Sequence, residues 1–117
     1  MGDVRVNISA LAHKAIESNV LIDDREVVAR ALMVATKLDD YLVDLKAVVK
    51  SSFSSSDDDN KYQSKLHGLA WTATYVEALK QMSIWAEQLL KIGSFTKTER
   101  IILILSFNEY LNQLFGG

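Results

Sequence analysis

The 117-residue sequence contains no cysteine and no proline, and it has only five glycines. Without cysteine there can be no disulfide, no thiolate metal site and no cysteine nucleophile. Proline and glycine are the residues that interrupt helices most strongly, so their absence or scarcity favours long helices. The composition therefore predicts a helical chain that is not stabilised by covalent crosslinks.

The chain also lacks a strong excess of charge. It has 13 Lys and Arg against 15 Asp and Glu, for a formal net charge of -2. A nucleic-acid-binding domain is expected to be clearly basic, so we expect no nucleic acid partner. Hydrophobic residues make up 49% of the sequence, which is enough for one domain with its own core. We therefore predict a single domain over residues 1–117.

Export and membrane signals are absent as well. The first residues mix charges with apolar side chains and contain no signal-peptide core. The longest unbroken apolar run, Ile101 to Leu105, is far too short to cross a bilayer. We expect a cytoplasmic location and no membrane partner.

The stretch from Asn60 to Ile92 carries apolar residues at helical spacing. One row repeats every seven residues, and a second row lies beside it: Trp71, Ala78, Trp85 and Ile92, then Tyr75, Met82 and Leu89. A helix that is apolar over so much of its surface must be covered by neighbours on several sides.

Three further helices are predicted around this central one. A short helix begins at Asn7 or Ser9, and a long one runs from Asp23-Asp24 to Lys50 with a capping signal at its start. The last runs from about Lys97 to Phe115 after a capping box. Residues 51–60 form a polar, low-complexity segment that we expect to be a flexible loop. The predicted fold is all-α, an antiparallel four-helix bundle with two long central helices.

The last helix is apolar on every side at its start, which leaves two interpretations. Either it is buried in the domain, or its surface meets a symmetry mate or another polypeptide, because large exposed apolar patches usually mark interfaces. On the second interpretation, the aromatic and apolar residues of the last two helices form an interface. The predicted interface residues are Trp71, Tyr75, Trp85, Ile101, Leu105, Tyr110, Leu114 and Phe115.

Residues for chemistry are few. There is no P-loop, no glycine-rich dinucleotide motif and no nucleophile elbow. Asp57 and Asp59 are spaced like the start of a calcium loop, but the required glycine and glutamate are missing. Neither histidine has a Glu three residues before it, so a diiron site is excluded. We predict no catalytic, cofactor-binding or metal-binding residue. His67 weakly resembles the phosphoaccepting histidine of phosphotransfer bundles, although Ala70 stands where such bundles have a lysine.

A family resemblance is carried by residues 68–82 and, further on, by residues 108–111 and the terminal glycine pair. The first segment reads GLAWTATYVEALKQM and the second NEYL. Together they resemble an N-terminal helical region of bacterial acyl-CoA dehydrogenase-like flavoproteins, mainly over residues 66–117. The resemblance implies a domain placed ahead of the flavin-binding body. In that family the body holds the catalytic carboxylate and the FAD contacts, so no functional residue is transferred to this chain.

Three functional hypotheses follow. The first is a non-catalytic helical packing or oligomerisation domain of an acyl-CoA dehydrogenase-like flavoenzyme. The second is a standalone helical protein-interaction module, and the third is histidine phosphotransfer through His67. On the first hypothesis we expect the chain to be inactive by itself, with FAD present only if it belongs to a larger dehydrogenase. Its partner would be a second copy of itself or a downstream dehydrogenase domain.

Overall fold

The computed structural model describes residues 22–53 and 59–116, and these residues form three α-helices and no β-strand. Helix α1 spans Asp24–Ser52, α2 spans Asp59–Lys91 and α3 spans Lys97–Phe115. The all-α prediction is confirmed for this part of the chain. The short helix predicted near the N-terminus lies outside the described residues, so the four-helix arrangement stays a prediction.

The start of α1 follows from its capping residue. The side chain of Asp23 accepts a hydrogen bond of 2.8 Å from the backbone N–H of Glu26, which satisfies one of the free donors of the first turn. Asp24 and Glu26 also place negative charge near the positive end of the helix dipole. The predicted helix start is confirmed.

The linker between α1 and α2 is shorter than predicted. Ser51 and Ser52 belong to α1, and their hydroxyls donate to the carbonyls of Val48 and Val49 at 3.0 and 2.8 Å. Such bonds let a serine remain in the last turn of a helix. The prediction of a loop over residues 51–60 did not take these bonds into account. At the other end, α2 already begins at Asp59. Residues 54–58, the rest of the predicted loop, lie outside the described part.

Helix α2 ends at a glycine, as predicted. Gly93 has a φ of 75°, a left-handed conformation that costs an L-residue roughly 1–2 kcal/mol. The backbone N–H groups of Gly93 and Ser94 bond back to the carbonyls of Leu90 and Leu89 at 3.3 and 2.8 Å. This is the hydrogen-bond pattern of a Schellman motif, which reverses the chain after a helix.

Helix α3 begins at the predicted capping box. Thr96 is its N-cap, and the Glu99 carboxylate accepts hydrogen bonds from the Thr96 hydroxyl and, at 2.9 Å, from the Thr96 backbone N–H. These hydrogen bonds, that of the hydroxyl first, lower the pKa of Glu99 below its ordinary value of 4.5. The bonds favour the charged carboxylate, and the cap therefore works best when Glu99 is ionised.

Helices α1 and α2 form an antiparallel hairpin. At its closed end the Lys65 ammonium donates to the Ser52 carbonyl at 3.0 Å, and the rings of Phe53 and Tyr62 lie 4.8 Å apart. Further along, the Lys80 ammonium pairs with the Asp39 carboxylate at 3.1 Å, with both side chains about 40% exposed. Contacts at two levels therefore fix the register of the two helices.

Helix α3 lies along the open end of this hairpin and runs in the same direction as α1. At its start, Arg100 donates to the Asp24 carboxylate at 2.9 Å and to the Ile22 carbonyl at 2.6 Å. At its end, Phe115 packs edge-on against Tyr41, with ring centroids 5.3 Å apart. At 1.5 Å per residue, α3 is about 28 Å long, whereas α1 is about 43 Å and α2 about 50 Å. The third helix covers only part of the hairpin.

The core lies where all three helices meet. Leu38 of α1 and Leu79 of α2 are fully buried in one core cluster, and Leu103 of α3 is almost as deeply buried in it. Each such side chain contributes roughly 1.5–3 kcal/mol by leaving water. The remaining buried apolar residues are Val27, Val28, Ala31, Val34, Ala35, Val76, Ala86, Phe95, Ile104, Phe107, Leu111 and Phe115. On α1 this burial stops at Leu38, since every later residue of the helix is partly or fully exposed.

Candidate interaction surface

A row of three aromatic rings crosses from α2 to α3. Trp71 and Tyr75, one turn apart on α2, have ring centroids 5.1 Å apart and planes at 48°. Tyr75 then stacks on Tyr110 of α3, again at 5.1 Å, with planes at 28°. The two tyrosines are half-buried, whereas Trp71 is 49% exposed. The two tyrosines therefore lie between the packed helices, whereas Trp71 extends the row into solvent.

The second and third turns of α3 present a second apolar surface. Ile101 and Ile102 are each 43% exposed and Leu105 is 58% exposed, and we call these three residues the outer α3 patch. The opposite side of α3 supplies the core, because Leu103 and Ile104 point inward. A helix start that is apolar all round has more apolar surface than one neighbouring hairpin can cover.

The structure distributes the eight predicted interface residues over three environments. Ile101, Leu105 and Trp71 are exposed. Tyr75, Trp85, Tyr110 and Leu114 are half-buried, and the last three pack against the core. Phe115 is only 8% exposed and is covered by its own chain. That these residues form an interface with another molecule stays a prediction.

Two features of this surface did not emerge from the sequence. Ile102 is as exposed as Ile101, but it is not among the predicted interface residues. Its position in the all-apolar run from Ile101 to Leu105 was the signal that could have added it. Arg100, beside the patch, is only 14% exposed because it holds α3 to the start of α1. Asp24 and Ile22 are 76 and 78 residues away in the chain, so no local pattern could have identified these contacts.

The described residues offer little for chemistry. Within residues 22–53 and 59–116, no three His, Cys, Asp or Glu side chains come close enough together to hold a metal ion. His67 is exposed on α2, and the structure records no hydrogen bond between its imidazole and the other described residues. The phosphotransfer hypothesis needs an exposed histidine, and it stays a prediction. None of the three described helices is long and apolar enough to cross a membrane.

Comparison with known proteins gives one partial similarity. A 51-residue segment of the chain is 51% identical to (2S)-methylsuccinyl-CoA dehydrogenase of Cereibacter sphaeroides. The segment is 44% of this chain but only 9% of that enzyme. This match supports the resemblance to acyl-CoA dehydrogenases for less than half of the chain. No family model matches the sequence, and no solved structure matches it.

Proposed function

We propose that this chain is a non-catalytic helical packing or oligomerisation domain of an acyl-CoA dehydrogenase-like flavoenzyme. The observation that carries the proposal is the identity of 51% over 51 residues with a methylsuccinyl-CoA dehydrogenase. The chain spans only 9% of that enzyme, so a dehydrogenase body with its FAD would be a separate part. On this proposal the body performs the dehydrogenation, and the helical domain has no dehydrogenase activity by itself.

The outer α3 patch supports a docking role. Three large aliphatic side chains lie on two successive turns of one helix, and all are at least 43% exposed. Because each side chain is already about half covered, burying the rest against another polypeptide would contribute roughly half of the 1.5–3 kcal/mol expected for a fully exposed residue, or about 1 kcal/mol each. The same helix becomes polar on its outer side further along, at Glu109, Asn112 and Gln113. Docking is therefore expected at the start of α3.

The proposal is tested by complementation. The Cereibacter sphaeroides enzyme is produced without the segment that matches this chain, and the 117-residue chain is added. We expect the chain to bind the truncated enzyme and to restore its assembly and turnover. The substitution Leu105→Glu should weaken binding at least tenfold, since it places a charge in a desolvated contact. Gln113→Glu, a charge on the polar turns of the same helix, is the matched control and should bind normally.

Three results would overturn the proposal. One is turnover of methylsuccinyl-CoA by the isolated chain supplied with FAD. The second is normal binding by Leu105→Glu, and the third is no binding by the unsubstituted chain. If the truncated enzyme does not fold, the same variants are compared in a chimaera that carries this chain in place of the segment. Binding to an unrelated partner without effect on the dehydrogenase would favour the standalone interaction module.

A further inference from the structure

Helices α1 and α3 run in the same direction, and both pack against α2. They contact each other less extensively than either of them contacts α2. In a four-helix bundle with alternating helix directions, parallel helices lie on a diagonal, and the other two helices lie between them on opposite sides. Helix α2 occupies one of these two places. The other place is the groove between α1 and α3 on the side away from α2, which we call the α1–α3 groove.

Arg30 lies on the side of α1 that borders this groove. It is nine residues before Asp39, so the two side chains point to opposite sides of the helix, and Asp39 faces α2 through its ion pair with Lys80. The Arg30 Nε donates to the Glu26 carboxylate at 3.0 Å, and the Arg30 side chain is only 21% exposed. Its Nη1 atom is buried and has no hydrogen-bond partner among the described residues. A buried guanidinium donor without an acceptor is unfavourable, so an acceptor is expected in the groove.

On α3 the groove is bordered by a row of residues seven apart, Ile101, Asn108 and Phe115. Such residues lie on one side of a helix, and Phe115 identifies that side, because its ring contacts Tyr41 of α1. Asn108 is half-buried and Ile101 is 43% exposed. The other two residues of the outer α3 patch point further away from α1. The groove therefore has an apolar wall at the start of α3 that is separate from the rest of the patch.

The chain enters α1 at the mouth of this groove. The carbonyl of Ile22 accepts a hydrogen bond from Arg100 of α3 at 2.6 Å, and the same guanidinium donates to the Asp24 carboxylate at 2.9 Å. Ile22 is thereby held between the starts of α1 and α3, and residues 1–21 are joined to the bundle at that point. A connection of four residues, 18–21, spans at most about 14 Å. Residues 8–17 are therefore tethered close to the groove.

We propose that residues 8–17 of this chain form a helix that fills the α1–α3 groove and runs antiparallel to α1 and α3. The apolar residues that face the groove recur at helical spacing: Ile8, Leu11, Ala12, Ala15 and Ile16. Ten residues of helix are about 15 Å long, which fits beside the 19 residues of α3. This inference goes beyond the proposed function, because it concerns the packing of the domain itself and leaves most of the outer α3 patch uncovered.

The short tether selects this segment over a separate molecule. A segment joined to its site by a few flexible residues has an effective concentration in about the millimolar range. A second copy or another polypeptide of equal affinity, present at micromolar concentration, is therefore excluded from the groove by the chain's own residues.

The direction of this helix places its carboxyl end beside Arg30. The last four carbonyl groups of a helix have no partner within the helix, and a cation near them is favourable. Arg30 is six residues after Asp24, or about 9 Å along α1, a depth that a four-residue connection from Ile22 can reach. The Nη1 donor of Arg30 and the free carbonyls of the helix then satisfy each other.

The absence of cysteine makes disulfide trapping in the 117-residue chain a direct test. Ile16→Cys/Ile101→Cys places one thiol on the proposed helix and one on the wall of the groove. Ile16→Cys/Ile102→Cys is the matched control, because Ile101 and Ile102 are each 43% exposed but point to different sides of α3. The reduced chain is oxidised at low micromolar concentration, and the intramolecular product is followed on non-reducing gels. We expect the first pair to close roughly tenfold faster or more, since a disulfide needs Cα atoms within about 7 Å of each other.

Arg30→Met tests the end of the helix, because it keeps the apolar stem and removes the donors. In the Ile16→Cys/Ile101→Cys background it should slow closure several-fold. Glu26→Gln changes the partner of Arg30 on α1 and keeps the guanidinium, so this control should close at the normal rate. Circular dichroism confirms that each reduced variant is folded. Leu11→Cys/Asn108→Cys, further along the groove, replaces the first pair if that variant does not fold.

Equal closure rates for the Ile101 and Ile102 pairs would overturn the proposal, because a segment without a fixed place meets both thiols equally. So would a disulfide that forms mainly between two chains, at twice the mass of 13.1 kDa, since a second copy would then occupy the groove. Closure at the normal rate in Arg30→Met would overturn the placement of the helix end beside Arg30.

Discussion

Tyr75 on α2 and Tyr110 on α3 stack with their ring centroids 5.1 Å apart and their planes at 28°. Both rings are half-buried, and Trp71 extends the contact on one side. Aromatic pairs in this geometry contribute roughly 0.5–1.5 kcal/mol beyond the burial of their area. The pair joins α3, five residues before its last residue, to the middle of α2.

A double-mutant cycle on these tyrosines should show their coupling. We expect Tyr75→Ala and Tyr110→Ala together to cost about 1 kcal/mol less than the sum of the single costs, measured by urea unfolding. Tyr62, near the closed end of the hairpin and paired with Phe53, provides the comparison. Its cycle with Tyr110 should be additive within about 0.5 kcal/mol, and a coupling as large as that of the stacked pair would contradict the assignment.

The contact of Arg100 with Asp24 and the Ile22 carbonyl predicts an asymmetric response to substitution. Arg100→Ala removes two charge-assisted bonds from a side chain that is 14% exposed, and should cost about 2–3 kcal/mol. Asp24→Asn keeps an acceptor at a carboxylate that is 43% exposed, and should cost under about 1 kcal/mol. Lys97→Ala at an exposed position controls for loss of positive charge near the helix start. Equal costs for the first two variants would show that the ion pair matters more than the bond to the carbonyl.

Local signals were sufficient to place the starts of α1 and α3 and the end of α2. Asp23, Gly93 and the Thr96–Glu99 pair each act on neighbours within five residues, so their effect is visible in the sequence. Ser51 and Ser52 were misjudged because a serine run resembles a loop, although each hydroxyl can bond within the helix.

The extent of the three-helix packing could not be predicted in the same way. The apolar rows of α1 and α2 continue with one period along both helices, so they do not reveal where α3 ends. That boundary depends on contacts such as Phe115 with Tyr41, which are distant in sequence. For the same reason, the sequence pattern does not distinguish an apolar residue of α3 that belongs to the core from one that is exposed. The structure covers Phe115 and leaves Leu105 exposed.

The end of α3 at the level of Tyr41 predicts a gradient of side-chain contributions along α1. Leu38 is fully buried, and Leu38→Ala should cost about 3–4 kcal/mol by transfer and cavity terms. Leu45, two turns later, is only partly buried, and Leu45→Ala should cost about 1–1.5 kcal/mol. The measurement is urea unfolding at one low micromolar concentration for all variants. Val43→Ala, at a largely exposed site, should lie within about 0.5 kcal/mol of the unsubstituted chain.

The lowered pKa of Glu99 predicts a small dependence of stability on pH. The hydrogen bonds from Thr96 favour the ionised carboxylate, so its folded-state pKa lies below the ordinary value of 4.5. The stabilisation is therefore fully present above about pH 4.5 and is lost as the pH falls through the folded-state pKa. Glu99→Gln should be less stable than the unsubstituted chain at pH 7, and the difference should shrink at pH 3. Urea unfolding at the two pH values measures it.

Thr96→Val identifies the source of this pH dependence. The substitution removes the hydroxyl, whose hydrogen bond is the largest cause of the lowered pKa, and keeps the backbone N–H that bonds the same carboxylate at 2.9 Å. In that background the effect of Glu99→Gln should change less between pH 7 and pH 3 than it does in the unsubstituted chain. An unchanged pH dependence would mean that the backbone N–H groups hold the carboxylate without help from the hydroxyl. The capping box would then depend on the position of Glu99 at the helix start more than on the identity of the N-cap residue.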